Sequence, residues 1–434
     1  MKIPSFRRRA AVVAAVAVSA VLALSGCGGP GGSNAGKTFT VWWFESPDSA
    51  MGVASAQVLK DFEAAHPGVK VKFEQKSFDQ IQQSGTMILN SSSAPDVLEY
   101  AKGSATAGLA AKSGLLTDLT DVASKKGWDK KMAPSVAAVG HYDQRGVLGE
   151  GPLYGVPNYG EFVGVYYNKD MFAKYGVKVP TTLAGLESAM DAFVAKGVTP
   201  LTMSGAEYGA NHLWYELALS QADRSWVDNF QLFKGPVNFN DKAWTFAAQT
   251  LVDWGKKGYF SQDSTGIKAT DMLNAFTSGT SPMMVSGSWF DGQLKTGVKN
   301  FQWGEFQFPG NKLTAGSGGN IWVVPSKSEN KDLAYDFINR TLETSNQNLL
   351  GNSGGVPVAA DPAAVTDTHS RAAATTFKTL AGSDGLAYYP DWPAPGYYDQ
   401  QVKALQGLLT GALTVKEFND TISKPYEDYA SQLK

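Results

Sequence analysis

Residues 38–74 read TFTVWWFESPDSAMGVASAQVLKDFEAAHPGVKVKFE, and this segment decides the type of fold. The β-branched and aromatic run 38–44 predicts a strand. Apolar residues then recur at helical spacing until the pair His66-Pro67 ends the helix. Strict alternation of apolar and charged residues over 69–74 predicts a second strand. The segment therefore predicts a strand–helix–strand unit, in which both strands belong to one sheet.

The alternation of strands and helices continues along the chain. Further strands are predicted over 96–100, 164–167, 199–203, 282–286 and 321–324, and further helices over 78–90, 183–194, from 214, over 244–254 and over 333–342. This order is typical of α/β proteins and predicts a mostly parallel sheet. Because 434 residues exceed what one core usually holds, we expect two α/β lobes.

The composition argues against several classes of protein. A single cysteine rules out an internal disulfide, so the fold depends on its hydrophobic core. The formal net charge is −2 and no basic run follows Arg7-Arg8-Arg9, so nucleic acid is not an expected partner. The four histidines have no spacing that suits a metal site. We expect neither a metal nor a cofactor.

The first 26 residues have the pattern of a secretory leader. Basic residues precede the apolar run Ala10–Leu24, which is short for a membrane span. The next residues, Ser25-Gly26-Cys27, complete a sequence that resembles the lipobox of bacterial lipoproteins, whose cysteine is lipidated after cleavage. We expect a lipid on Cys27 and a flexible Gly-rich tether over 27–37. The alternative is an ordinary leader with an incidental cysteine.

Two short motifs suggest enzymes but stand in the wrong context. Gly31–Thr38 matches the phosphate-binding pattern G-x-x-x-x-G-K-[ST], which needs a buried strand before it and a helix after it. Here the predicted leader precedes the match and a strand follows it. Gly351–Gly355 matches G-x-S-x-G, but it follows a helix and leads into Val356-Pro357. We expect neither nucleotide binding nor a nucleophilic serine.

Aromatic and acidic residues gather where the predicted strands end, which is where open α/β sheets bind ligands. These candidates are Glu45, Tyr100, Lys102, Glu207, Tyr208, His212, Trp214 and Trp289, with Trp322 and Trp392 as further aromatic candidates. A sugar ring packs its C–H face on an aromatic ring, and its hydroxyls bond to carboxylates, amides or lysine. Carbohydrate is therefore the favoured ligand. Trp289 is the best aromatic candidate, because small polar residues flank it.

A purely structural role, in the core or in a solvated loop, remains an alternative for each of these residues. Most of the eleven tryptophans are expected to pack in the core, among them Trp226, Trp244, Trp254 and Trp303. Glu45 and Glu207 suit solvated loops equally well.

Several segments in a fixed order resemble the extracellular solute-binding proteins of ABC sugar importers, the class that includes maltose-binding protein. They are Phe39–Trp42, Leu59–Glu63, His66–Val71, Ala94–Val97, Ser113–Leu119, Tyr154–Pro157, Tyr166–Phe172, Pro180–Leu183, Ala275–Gly279, Pro282–Met284, Gly287–Trp289, Gly318–Asn320, Pro325–Lys327 and Asn330–Ala334. Each match is weak alone, but their order covers about 400 residues.

The resemblance implies a type II periplasmic-binding fold, with two α/β lobes that close like a jaw on a ligand in the cleft between them. The first lobe would comprise 38–155 and about 312–347, and the second 156–307 and about 350–434. The chain would cross between the lobes near 156–161, 306–311 and 351–357.

The resemblance also implies a role and a site. Glu161 matches a sugar-binding glutamate at a crossing, Trp289 a stacking tryptophan and Tyr100 an aromatic ligand contact, while Asn320 lies in the matching Gly-Gly-Asn segment. The protein would be a monomer on the extracellular face of the membrane, would deliver sugar to an ABC permease and would not be an enzyme. Trp43-Phe44-Glu45 departs from the polar stretch of the maltose-binding relative, which argues against maltose itself. Xylo- or gluco-oligosaccharides of two or more units are favoured, because several separate aromatic platforms suit more than one ring.

Two other functions remain open from the sequence. A secreted glycoside hydrolase also needs aromatic platforms and a pair of carboxylates, although no eightfold barrel repeat is visible. A protein of the same fold could also bind a non-sugar solute.

Overall fold

The computed structural model describes residues 36–433, except for the side chains of Asp79 and Pro362. The predicted leader and Cys27 lie outside the described residues, as do nearly all of the tether and most of the phosphate-loop match.

Thirteen strands are described: β1 (Thr38–Trp43), β2 (Lys70–Gln75), β3 (Val97–Tyr100), β4 (His141–Tyr142), β5 (Leu148–Leu153), β6 (Gly155–Pro157), β7 (Tyr159–Asn168), β8 (Leu201–Thr202), β9 (Met283–Gly287), β10 (Trp303–Phe306), β11 (Gly316–Gly318), β12 (Ile321–Val323) and β13 (Val356–Pro357). The α-helices in the described residues are α1 (Ala50–Ala65), α2 (Phe78–Asn90), α3 (Leu109–Lys112), α4 (Thr120–Lys126), α5 (Pro134–Ala137), α6 (Lys169–Tyr175), α7 (Leu183–Val194), α8 (Gly209–Leu219), α9 (Arg224–Leu232), α10 (Lys242–Lys256), α11 (Ala269–Thr277), α12 (Asp291–Gly297), α13 (Lys331–Thr341), α14 (Thr344–Asn352), α15 (Thr368–Gly382), α16 (Tyr397–Leu409) and α17 (Val415–Gln432).

The first lobe is built on a five-stranded sheet in the order β2-β1-β3-β12-β6. β1 runs parallel to both β2 and β3, so the strand–helix–strand unit forms as the periodicity predicts. Helix α1 begins where the Ser49 side chain accepts a hydrogen bond from the Gly52 amide, and it ends at His66. Phe39 and Phe62 stack at 4.9 Å and join β1 to α1.

The second lobe is built on the sheet β10-β7-β9-β8, with β11 and β13 also paired to β7. Here the prediction of a mostly parallel sheet is wrong, because β7 is antiparallel to β9 and β10 and only β8 and β9 are parallel. The reason is the direction of entry: β7 runs away from the junction of the lobes, whereas β9 and β10 run back towards it.

The chain passes between the two sheets at three places near β7. The first passage joins β6 to β7, and the third joins α14 to β13. The second lies between β11 and β12, so the predicted crossing at 306–311 is wrong. Residues 311–315 stay in the second lobe because the buried Glu216 carboxylate of α8 accepts bonds from the Asn311 side chain at 2.7 Å and the Ala315 amide at 2.8 Å.

The C-terminal helices lie at the junction and in the second lobe. Helix α15 packs on β13 and β7 of the second-lobe sheet and also on α14 and α5, so it lies at the junction of the two lobes. Phe377 of α15 lies against Gly160 of β7, a contact that the sequence pattern of α15 does not indicate. Helices α16 and α17 pack on α8 and α10 of the second lobe. No helix among residues 36–433 is both long and apolar enough to cross a bilayer.

Candidate ligand-binding cleft

Two glutamates meet where β1 and β3 end at the edge of the first lobe. The Phe44 amide donates to Glu99 Oε2 at 3.1 Å, which holds the Glu99 carboxyl beside the residue that follows Phe44. That residue is Glu45, whose Oε1 accepts a bond from the Tyr159 hydroxyl at 3.1 Å. Glu99 is only 2 % exposed. The strand ends thus place two carboxyl groups against the first residue of β7.

A buried ion pair continues this polar line across the junction of the lobes. Lys102 Nζ, just after β3, pairs with Glu161 Oε1 of β7, and the two side chains are 5 % and 6 % exposed. Lys102 Nζ also donates to Asn320 Oδ1 at 3.1 Å, and Asn320 Nδ2 donates to the Tyr159 hydroxyl at 3.0 Å. Asn320 lies in the passage from β11 to β12, so the network joins both lobes through two of the three crossings.

An aromatic group of the second lobe faces this network. The Trp289 ring lies edge-on to Tyr208 at 5.7 Å and to His212 at 5.4 Å, and it is 6.2 Å from Tyr389. Trp289 also packs against a cluster that contains Tyr159 and Met51, so it contacts residues at the junction and in the first lobe. The half-buried ring therefore stands between the two lobes.

The loop before α16 brings Trp392 to the same place. Lys102 Nζ lies 5.5 Å from the centre of the Trp392 ring and 5.6 Å from that of Tyr389, within cation–π range. The Ala105 amide donates to the Trp392 carbonyl at 2.8 Å. Gly103 has φ +106°, and a Cβ there would lie 2.7 Å from the Trp392 Cβ, so glycine permits this close approach.

Burial sets the protonation of the cleft. It raises the pKa of Glu45 to about 7, with the nearby Glu161 carboxylate adding to the shift. Burial also raises the pKa of Glu99 well above its usual range and that of Asp391 to about 6. It lowers the pKa of His212 to about 3, so the imidazole is neutral at pH 7. The cleft therefore offers both donors and acceptors near neutral pH.

We expect Glu45→Gln to change how stability depends on pH. The pKa of folded Glu45 lies above its usual 4.5, so the folded state favours the protonated carboxyl. Its contribution to stability is complete below about pH 4.5 and is lost as pH rises through about 7. Thermal melts at pH 5 and pH 8 should show Glu45→Gln gaining on the wild type at the higher pH. Glu63→Gln, an exposed change on α1, is the control; parallel profiles for all three proteins would refute the prediction.

Three predicted contacts are wrong, because their side chains lie in the cores of the lobes. Tyr100 is 1 % exposed and its ring covers Gly85 of α2. Trp214 stacks on Trp244 at 4.7 Å inside the second lobe. Trp322 is 2 % exposed and meets the Phe337 ring of α13 edge-on. Tyr100 and Trp214 were predicted from their positions near strand ends, Tyr100 also from the family resemblance, and Trp322 as a further aromatic candidate. None of these signals says to which face the ring points.

Glu207 lies at the rim of the cleft and not in its centre. Its Oε2 accepts a bond from the Ala269 amide at 2.7 Å, which satisfies the start of α11. Glu207 also lines a cavity of about 450 Å³ between α2 of the first lobe and α16 of the second. The structure brings the remaining candidates together: Glu45, Glu161, His212, Trp289, Asn320 and Trp392 lie around the Lys102 network.

Three residues of the cleft, Glu99, Tyr159 and Tyr389, were not among the sequence candidates, whereas Lys102 was a candidate only through its position at a strand end. Glu99 lies inside a short strand that reads as core. Tyr159 and Tyr389 had no signal beyond being aromatic. Glu99 and Lys102 reach the cleft from β3, Tyr159 from the start of β7, and Tyr389 from the segment between α15 and α16. A local sequence pattern does not reveal that these places meet. No group of three potential metal ligands is found among residues 36–433.

The fold has two lobes joined by three passages, and polar and aromatic side chains lie between the lobes. This arrangement defines the class of two-lobed binding proteins, whose ligand cleft lies at the junction of the lobes. A family model of bacterial extracellular solute-binding proteins matches residues 46–347, more than half of the chain. The chain belongs to this family.

The individual proteins that this chain resembles are also named as binding proteins. The diacetylchitobiose-binding protein DasA of Streptomyces coelicolor is 26% identical over an alignment of 407 residues that covers 88% of this chain and 90% of DasA. A multiple sugar-binding protein of Streptococcus mutans is 24% identical over an alignment of 320 residues that covers 71% of this chain and 72% of that protein. The solved structure of a chitin oligosaccharide binding protein superposes with a TM-score of 0.76 at 23% identity, covering 91% of this chain and 99% of that one.

Proposed function

We propose that this protein binds a neutral oligosaccharide between its lobes and delivers it to the permease of an ABC transporter. The observation that carries the proposal is the continuous line Glu99, Glu45, Tyr159, Asn320, Lys102 and Glu161, which faces the Trp289 aromatic group across the cleft. The names of DasA and of the Streptococcus relative, which refer to sugars, support the same ligand class.

The chemistry of the cleft suits sugar hydroxyls. Carboxylates and amide oxygens accept hydrogen bonds from hydroxyls, whereas Lys102 and Asn320 donate them. The ring of Trp289 supplies an apolar surface for the C–H face of a pyranose. This combination recognises both faces of a sugar at once.

The charges of the cleft favour an uncharged ligand. Lys102 is the cation of the Lys102–Glu161 pair, so an anionic sugar would have to compete with Glu161 for it. The raised pKa values of Glu45 and Glu99 show that further negative charge is disfavoured in this buried place. A uronic acid or sugar phosphate would add a charge without a free partner among these residues.

Capture would proceed by closure of the lobes. Glu45, Glu99 and Lys102 belong to the first lobe, whereas His212, Trp289 and Trp392 belong to the second. A ligand touching both sets is held fully only when the lobes are closed. That difference in affinity shifts the population towards the closed state, which the permease would recognise.

The same geometry gives little support to glycoside hydrolysis. Glu45 and Glu99 lie in hydrogen-bonding contact with each other. The two carboxyls of a glycosidase stand about 5–9.5 Å apart, with the scissile bond between them. A binding function accounts for the contact more simply.

A melting-temperature screen tests the proposal. Chito-, xylo-, malto- and cello-oligosaccharides should be offered separately at millimolar concentration. A bound sugar raises the melting temperature by mass action, by an amount that grows with its concentration. Prolonged incubation should release no reducing ends. Turnover of the sugar, or the absence of any shift across the panel with uronic acids and peptides active instead, would overturn the proposal.

We also propose that the mature protein is held on the extracellular face of the membrane by a lipid on Cys27. The Ser25-Gly26-Cys27 sequence after an apolar run supports this anchor, and the extracellular character of the family agrees with it. Cys27→Ser should move the protein from the membrane fraction to the medium, as shown by immunoblots of fractionated cells. Ser25→Ala is the matched control, and continued membrane retention of Cys27→Ser would contradict the anchor.

A further inference from the structure

The cavity beside Glu207 opens between the lobes. One wall is Gln83 of α2 in the first lobe, and the other is formed by α16 together with Ala206 and Glu207 in the second. Its volume of about 450 Å³ lies within the range of about 300–1,000 Å³ that is usual for small-molecule pockets.

Two continuous paths connect the cavity with the centre of the cleft. In the second lobe, Glu207 precedes Tyr208, whose ring touches those of His212 and Trp289. Tyr208 therefore adjoins both Glu207 of the cavity and the Trp289 ring at the centre. In the first lobe, Phe44 precedes Glu45.

The aromatic path of the first lobe also reaches the opposite wall. The Phe44 ring meets Phe78 edge-on at 5.3 Å, and Phe78 lies edge-on to Tyr398 of α16 at 6.4 Å. Tyr398 lines the cavity. The row Phe44, Phe78 and Tyr398 therefore runs from the end of β1 across to the second lobe.

The cavity walls carry the same kinds of group as the cleft centre. The lining consists of Gln83, Ala206, Glu207, Tyr398, Asp399, Val402, Lys403 and Gln406. Amides, carboxylates, an ammonium and one phenol ring are the groups that bind sugar hydroxyls and the C–H face of a pyranose. The Gln406 side chain is held in place, because its amide donates hydrogen bonds to the carbonyls of Gly205 and Thr265 at 3.1 Å each.

We propose that this cavity is a distal subsite, which holds an outer ring of an oligosaccharide whose inner rings lie against Trp289. The ligand would leave the buried centre past Tyr208 and end between Gln83 and Tyr398. The proposal rests on the proposed function and makes it more specific: the preferred ligand has at least three sugar units, and both lobes contact its outer end.

Calorimetry with a length series tests the subsite. The probes are the oligosaccharides of two, three and four units from whichever family, chito-, xylo-, malto- or cello-, raises the melting temperature. For the wild type we expect the tetramer to bind at least about tenfold more tightly than the dimer, about 1.4 kcal/mol. In Tyr398→Ala this advantage should fall to about threefold or less, while dimer affinity is unchanged, and Tyr398→Phe should retain it.

A second pair of variants tests the first-lobe wall without touching an aromatic residue. Gln83→Ala should reduce the affinity for the tetramer alone, whereas Gln80→Ala, an exposed change on the same helix outside the cavity, should leave both affinities unchanged. Equal affinities for dimer and tetramer in the wild type, or a length advantage that survives Tyr398→Ala and Gln83→Ala, would overturn the subsite and leave the proposed function standing. Failure of every sugar to bind would overturn both.

Discussion

Trp289→Ala is expected to weaken sugar binding at least about thirtyfold, which corresponds to about 2 kcal/mol. The ring is half-buried, stands between the lobes and is held at 5.4–5.7 Å by His212 and Tyr208. A ring fixed in this way loses little side-chain entropy when it accepts a ligand. Isothermal titration of the best sugar from the screen gives the affinity directly, and the melting temperature of the unliganded variant shows whether the lobes still fold.

Two variants separate stacking from packing at this position. Trp289→Phe keeps an aromatic face and should lose much less affinity than Trp289→Ala. Trp226→Ala removes another half-buried tryptophan of the second lobe, whose Nε1 donates to Asp241 at 2.7 Å outside the cleft. It should lower stability without changing affinity. Unchanged affinity in a folded Trp289→Ala protein would remove Trp289 from the ligand contacts.

The order of elements was largely predictable because it depends on local periodicity. Helices α2 and α7 were predicted over 78–90 and 183–194, and the structure has them over the same residues. In the structure the side chains of their N-cap residues, Ser77 and Thr182, accept backbone hydrogen bonds. Strand direction in the second lobe was not predictable in this way, since it depends on where β7 enters the sheet.

The cleft was only partly predictable, for a reason that α8 illustrates. Every residue of Gly209–Leu219 is buried, so this helix has no exposed face to show which side meets solvent or ligand. His212 and Trp214 therefore looked alike as candidates, yet His212 faces Trp289 and Trp214 stacks on Trp244. Residues two positions apart on a helix, such as His212 and Trp214, point in directions that differ by about 200°. Only the packing decides which of these directions faces the core.

Lys102→Met is expected to be the most destabilising change in the cleft, at about 3–5 kcal/mol. It removes the cation of the buried pair and leaves the Glu161 carboxylate in the same place, with burial already raising its pKa. The variant also removes the ammonium group that donates a hydrogen bond to Asn320 Oδ1, so the link between the β6–β7 and β11–β12 crossings is lost. Urea unfolding followed by tryptophan fluorescence measures the change. The exposed i,i+4 pair of Lys416 and Asp420 supplies the control: Lys416→Met should leave the free energy of unfolding almost unchanged, because solvent screens this pair.

The double variant Lys102→Met/Glu161→Gln decides whether this loss comes from an unpaired charge. If the cost of Lys102→Met is mainly the desolvated Glu161 carboxylate, removing that charge as well should recover much of it. The cycle of the two single variants and the double variant should then give a coupling energy of about 1–3 kcal/mol. A Lys102→Met protein that loses less than about 1 kcal/mol, with no coupling to Glu161→Gln, would show that the pair is solvated. In that case Lys102 would be a free cation in the cleft, and the argument for an uncharged sugar would fail with it.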